Sequence, residues 1–206
     1  MDQPTTDATT PAPPPGRVIV LTGPPGAGKS TVARLLADRL SPSVHLHCDD
    51  FWHFIKRGAI APHLPQAHRQ NETVIGVLAD AAFGYAVGGY QVICDGIVGP
   101  WFIDAFRTTG GTRGAELHYA VLRPDQDTTL RRAAGRGGDA LTDPDPIRSL
   151  HRQFTGLGAF EGHVLDTTHL TPETTADSVL HGLDGGAFLL GPGSPSPRAN
   201  HPIHHS

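Results

Sequence analysis

Between a short apolar run and an amphipathic stretch the chain reads Gly23-Pro-Pro-Gly-Ala-Gly28-Lys29-Ser30, and no other segment restricts the possible folds as much. The preceding run, Arg17-Val-Ile-Val-Leu-Thr22, is β-branched and stops at glycine, as a buried parallel strand does. After the motif, Val32, Leu35, Leu36 and Leu40 fall on one helical face. Strand, glycine-rich turn and helix in that order match G-x-x-x-x-G-K-[ST] in its proper context. Glycines let the backbone turn so that successive N–H groups point at phosphate oxygens, and the helix N-terminus adds its partial positive charge. The expected nucleotide cradle is Gly23, Pro24, Pro25, Gly26, Ala27, Gly28, Lys29, Ser30 and Thr31. In it Lys29 reaches the β- and γ-phosphates and the Ser30 hydroxyl ligates Mg²⁺. Lys29 and Lys56 are the only lysines, which makes a chance lysine at this spot harder to accept.

The rest of the chain repeats the alternation. Val44–Cys48, Tyr90–Cys94, Leu117–Leu122 and His163–Leu165 read as further strands. Val74, Val77, Leu78 and Ala81 form a helical stripe closed by Gly88-Gly89, and Ile147, Leu150, Phe154 and Leu157 form another. Thr171-Pro172 is a helix start, a capping side chain followed by proline. The expected fold class is α/β: a five-stranded parallel sheet covered on both faces, three layers in all, with a small lid. At 206 residues one domain is expected, over 17–183. The Pro- and Thr-rich residues 1–16 and the Gly-, Pro- and His-rich residues 184–206 read as tails, the latter carrying His201, His204 and His205.

Composition narrows the partners. A net charge of -4 argues against nucleic acid, no apolar run approaches the roughly 20 residues of a membrane span, and the amino terminus lacks a signal-peptide pattern. Two cysteines, Cys48 and Cys94, exclude a disulfide scaffold and favour a reducing, cytoplasmic setting. His45 and His47 alternate along the second strand without a second cluster to complete a metal set, so they read as strand-face residues.

Two strand ends carry carboxylates. The second runs into Cys48-Asp49-Asp50-Phe51-Trp52 and the third into Asp95-Gly96. Ligands of doubly wound sheets collect beyond the carboxyl ends of the strands, so these groups face the crevice of the phosphate loop. There a carboxylate can take the proton of an attacking hydroxyl. No N-K-x-D element for guanine is present, and the length left over is short for an AAA+-type motor with its helical lid domain and second-site arginine.

With the loop followed by Asp-Asp-Phe-Trp, the chain resembles the P-loop small-molecule kinases, the group of gluconate, shikimate, uridine and pantothenate kinases and chloramphenicol phosphotransferases. The resemblance covers about Arg17 to Leu183. It implies that Asp49 is the catalytic base with Asp50 as helper, although either Asp could serve, and an Asp pair is also a common helix start. It implies that Asp95 holds Mg²⁺ through a water, and that a lid over about 126–143 closes on the phosphates with Arg136 first and Arg132 next. Gly135, Gly137 and Gly138 supply its hinge. Asp166 and Thr167 then touch the adenine edge. The acceptor site lies within His53–Asn71, with Trp52, Arg69 and Asn71 as its polar and aromatic contacts; Arg69, Gln70 and Asn71 precede a helix starting near Glu72. The implied activity is transfer of the γ-phosphoryl group of ATP to a hydroxyl of a small molecule by a monomer or homodimer, and the aromatic-rich, weakly charged acceptor segment favours a neutral, ring-bearing one. The alternatives are an antibiotic-modifying phosphotransferase and a nucleotide-binding regulator or slow ATPase.

Overall fold

The computed structural model describes residues 13–135 and 143–191. Arg136, Gly137, Gly138 and the three tail histidines His201, His204 and His205 lie outside the described residues. Five parallel strands, β1 (Arg17–Thr22), β2 (Ser43–His47), β3 (Gln91–Asp95), β4 (Glu116–Leu122) and β5 (Val164–Leu165), stand in the order β2-β3-β1-β4-β5. Seven α-helices accompany them among the described residues: α1 (Lys29–Arg39), α2 (Cys48–His53), α3 (His68–Val87), α4 (Ile103–Arg113), α5 (Gln126–Ala134), α6 (Pro144–Gln153) and α7 (Pro172–Asp184).

The period of two along the strands sorts the core into two layers. Val18 and Val20 of β1, Val92 and Cys94 of β3 and Tyr119 of β4 pack against Ile75, Leu78 and Phe83 of α3 and Phe106 of α4. Ile19 and Leu21, Ile93, and Ala120 and Leu122 point the other way, onto Val32 and Leu36 of α1 and Val179 and Leu183 of α7. Because both faces are covered, the central strands are apolar without interruption, and burial of each large side chain contributes about 1.5–3 kcal/mol. The strand order reverses at β1, with β3 on one side and β4 on the other. That reversal opens a crevice beyond the carboxyl ends of these three strands.

The structure departs from the sequence expectations in four places. Cys48 opens α2 instead of ending β2, with Asp49 and Asp50 in its first turn, where carboxylates suit the positive end of the helix. Helix α3 begins at His68, so Arg69, Gln70 and Asn71 lie inside its first turn and do not precede it; the lead-in is a 3-10 turn over Pro65–Ala67. Helix α4 is hidden in the sequence by Thr-Thr-Gly-Gly, but Gly110 is needed there, since a Cβ would meet the Phe83 ring at 2.7 Å. Finally, the chain expected to be a tail from Asp184 adds a sixth strand, β6 (Leu189–Leu190), antiparallel to β4. The two-residue β5 pairs only with Val121 and Leu122, leaving the rest of that edge of β4 with unpaired backbone groups. Phe188 accepts from Tyr119 N at 2.8 Å with its carbonyl, β6 takes Leu117 and His118, and the Phe188 ring is buried.

Candidate active site: the phosphate loop and its carboxylates

Three glycines shape the loop between β1 and α1. Gly23, Gly26 and Gly28 have φ of 144°, 84° and 89°, in the region that side chains rarely adopt. A Cβ on Gly23 would run into the Leu122 carbonyl of β4, and one on Gly26 into the Thr129 carbonyl and Ala133 of α5. Gly28 has nothing within 4 Å of that position, so its backbone faces open space at the start of α1. Ala27 N donates to Pro24 O at 3.2 Å, which closes the turn, and Lys29 Nζ spans the loop to the same carbonyl at 3.1 Å. Pro24, Pro25 and Ala27 are buried, whereas Thr31 is exposed on the first turn of α1.

Asp95 is the polar centre of the crevice. Its side chain is fully buried at the end of β3, and its Oδ2 accepts from the Ser30 hydroxyl at 2.5 Å. The other oxygen, Oδ1, meets His45 Nε2 at 2.7 Å and His47 Nδ1 at 3.0 Å. Strand register explains the convergence. His45 and His47 stand opposite Ile93 and Asp95, and Ile93 faces the α1 side, so all four share the face on which the loop lies. Burial pushes the Asp95 carboxyl up, but hydrogen bonds from His45, Ser30 and His47, with the charge of His47, hold it down at about 2. For His47 burial works downward and is outweighed by the Asp95 hydrogen bond and the charges of Asp95, Asp49 and Asp50, which raise its pKa. Its Nε2 lies 3.9 Å from Asp49 Oδ2. A contiguous polar path therefore runs from Ser30 through Asp95 and His47 to Asp49 in α2. Asp49 and Asp50 are exposed, and the loop after β3 is anchored by Val98 N on Thr22 Oγ1 and by the Tyr119 hydroxyl on Val98 O, both 2.9 Å.

Other expected site residues are differently engaged. Arg132 directs its Nη2 at the carbonyls of Thr167, Thr168 and Leu170, at 3.2–3.4 Å, and so clamps the loop after β5. Asp166 accepts from the backbone and hydroxyl of Thr168 at 2.9 and 2.6 Å, bonds that lower its pKa. Thr167 is buried and its hydroxyl has no hydrogen-bond partner among the described residues. Trp52 and Asn71 do come together, but on each other: the indole N–H donates to Asn71 Oδ1 at 2.8 Å, and Asn71 Nδ2 donates to Pro62 O at 2.8 Å. Asn71 is thereby a structural tie between α2, α3 and the loop that joins them. Arg69 borders an apolar groove of about 600 Å³ beside Phe51, Phe54, Ile60 and Val77. At about 100° per residue, Phe51 and Phe54 lie on the opposite side of α2 from Asp49. Burial pushes the Cys48 and Cys94 thiols up, as for inert core cysteines.

His45 and His47 are the site residues that the sequence expectations missed. The available signal was the His-x-His alternation on a strand next to one that ends in Asp, with the same parity.

The fold recurs in solved structures. The Deinococcus radiodurans tunicamycin resistance protein matches with a TM-score of 0.61 at 19% identity, over 86% of this chain and 99% of that one. A sugar kinase from Janibacter sp. HTCC2649 matches with a TM-score of 0.61 at 21% identity, over 82% and 95%. The Mycobacterium tuberculosis APS kinase in complex with AMPPNP and APS gives 0.61 at 21%, over 84% and 99%. No curated protein matches the sequence. No helix among the described residues is long and apolar enough to cross a membrane. The sequence model of the family described as AAA domain matches residues 19–145, from β1 into the start of α6, and the chain belongs to that family, with the α/β architecture that P-loop small-molecule kinases share.

Proposed function

We propose that this protein is a cytoplasmic kinase that transfers the γ-phosphoryl group of ATP to a hydroxyl of a small molecule. The observation that carries the proposal is the polar path from Ser30 to Asp49, which joins a phosphate-binding loop, through Asp95 at the end of the neighbouring strand β3, to an exposed carboxylate in α2. Loop amides around Gly26 and Gly28, with Lys29, bind and neutralise the β- and γ-phosphates. The Ser30 hydroxyl and the Asp95 carboxylate are a hard-oxygen pair that suits Mg²⁺, a cation usually held by one or two protein groups together with substrate phosphates and water. Bound there, Mg²⁺ supplies charge neutralisation on the transferring group. Asp49 accepts the acceptor's hydroxyl proton as its oxygen bonds to the γ-phosphorus and the bond to the bridging oxygen of ADP breaks. With Arg132 clamped on carbonyls, the lid cation of this reading is Arg136.

ATP consumption measured with a panel of nucleosides, sugars and hydroxylated antibiotics tests the proposal. One acceptor stimulates turnover; Lys29→Ala abolishes it, and Asp49→Asn slows it by about 10²-fold or more while ATP binding persists. Basal hydrolysis that no acceptor raises would overturn the kinase in favour of a nucleotide-dependent regulator. The structural match to a tunicamycin resistance protein supports a second reading, an antibiotic as acceptor, which the same panel decides.

A further inference from the structure

We infer that His47 is a positioning residue that holds the Asp49 carboxylate in register with Asp95, an inference that rests on the phosphotransfer reading. The two ring nitrogens address two carboxylates on different elements: Nδ1 lies 3.0 Å from Asp95 Oδ1 at the end of β3, and Nε2 lies 3.9 Å from Asp49 Oδ2 in α2. Ser30 and His45 also address the Asp95 carboxylate, on Oδ2 and Oδ1 at 2.5 and 2.7 Å. His47 differs from them in its far nitrogen, which faces a second carboxylate. Asp49 needs such a partner. It sits in a six-residue helix with its side chain 64% exposed, and an exposed carboxylate samples several rotamers, whereas a general base must stay within about 3 Å of the proton it takes. The His47 ring, itself 41% exposed, is fixed by its Nδ1 contact with the buried Asp95 carboxylate. The imidazole thereby transmits the position of Asp95, and with it that of Ser30, to the base.

Two amide substitutions separate the ends of the ring. His47→Asn puts a donor near the Nδ1 position and keeps Asp95 held while losing Asp49; His47→Gln reaches toward Asp49 and gives up the Asp95 bond. We expect kcat for the best acceptor to fall by about ten- to a hundredfold in both variants, the range for a displaced catalytic group. In His47→Asn the Kd for Mg²⁺-ATP, measured by equilibrium titration, stays within about threefold of wild type. A second measurement does not depend on turnover: in ¹⁵N spectra of the imidazoles in the full-length chain, Asp95→Asn shifts the Nδ1 resonance of His47 and Asp49→Asn shifts its Nε2 resonance. Wild-type kcat in both His47 variants, or an Nε2 resonance indifferent to Asp49→Asn, overturns the inference. If no acceptor is ever turned over, the phosphotransfer reading fails, and the Nε2 resonance alone still decides whether His47 joins the two carboxylates.

Discussion

The Ser30 hydroxyl donates to Asp95 Oδ2 across 2.5 Å, tying the first turn of α1 to the end of β3 at a carboxylate that solvent does not touch. That carboxylate, held ionised against its burial by His45 first and then by Ser30 and His47, makes folding sensitive to acid. The Asp95 carboxyl titrates at about 2 in the fold against an ordinary 3.8, so it binds its proton less readily when folded. The stability it contributes, about 2 kcal/mol, is complete above pH 4 and is lost as pH falls through 2. His47 works in the opposite sense: its raised pKa contributes stability that is full below 6.5 and lost as pH rises through the folded value. Urea unfolding at pH 7, 4 and 3 checks this. Wild type should lose more stability between pH 4 and 3 than Asp95→Asn does, and equal losses would show that the carboxylate is not the acid-sensitive group.

The phosphate-loop glycines differ in what they tolerate. Gly26→Ala and Gly28→Ala each force a side chain into the left-handed region, at about 1–2 kcal/mol. Only Gly26 also presses on the Thr129 carbonyl and Ala133 of α5, so that helix must shift. Denaturation midpoints should fall distinctly further for Gly26→Ala than for Gly28→Ala. Nucleotide affinity should fall in both, because the amides at these positions define the cradle.

Asn71 provides a contrast between a binding residue and a structural one. Its two polar ends hold the Trp52 indole and the Pro62 carbonyl, and it is only 6% exposed. Asn71→Ala removes both bonds from a buried position and should cost about 1–3 kcal/mol of stability, read as a lower denaturation midpoint. A variant of wild-type stability with a raised KM for the acceptor would return Asn71 to the acceptor site.

Much of this architecture was legible in the sequence, and the reasons for the rest are physical. Strands β1 to β5 and the Thr171 cap of α7 follow from periodicity and local capping chemistry, where each residue's own pattern states its environment. Helix α4 escaped notice because Gly110 is chosen by contact with the distant Phe83, against helix propensity. Strand β6 escaped because the need for it is created by the shortness of β5, which no reading of residues 187–190 reveals. The glycine-rich loop is legible in its pattern, whereas the carbonyls that the Arg132 guanidinium meets are not, because spacing cannot tell which acceptors the fold brings to it. The histidine pair beside Asp95 needed the β2–β3 register before its convergence could be seen.

Thr167 offers the last test, in the loop where the adenine edge is expected. Its hydroxyl is buried without a hydrogen-bond partner among the described residues, a state that costs stability. Valine has nearly the same shape and no hydroxyl to desolvate, so Thr167→Val should leave the denaturation midpoint unchanged or raise stability by about 1 kcal/mol. If the hydroxyl is kept for the nucleotide, the same substitution weakens ATP binding by roughly five- to tenfold, the value of one neutral hydrogen bond. Isothermal titration of ATP into wild type and Thr167→Val, alongside urea unfolding of each, separates the two effects. A variant that is no less stable and binds ATP more weakly assigns the hydroxyl to the nucleotide, and undiminished affinity removes Thr167 from the binding site.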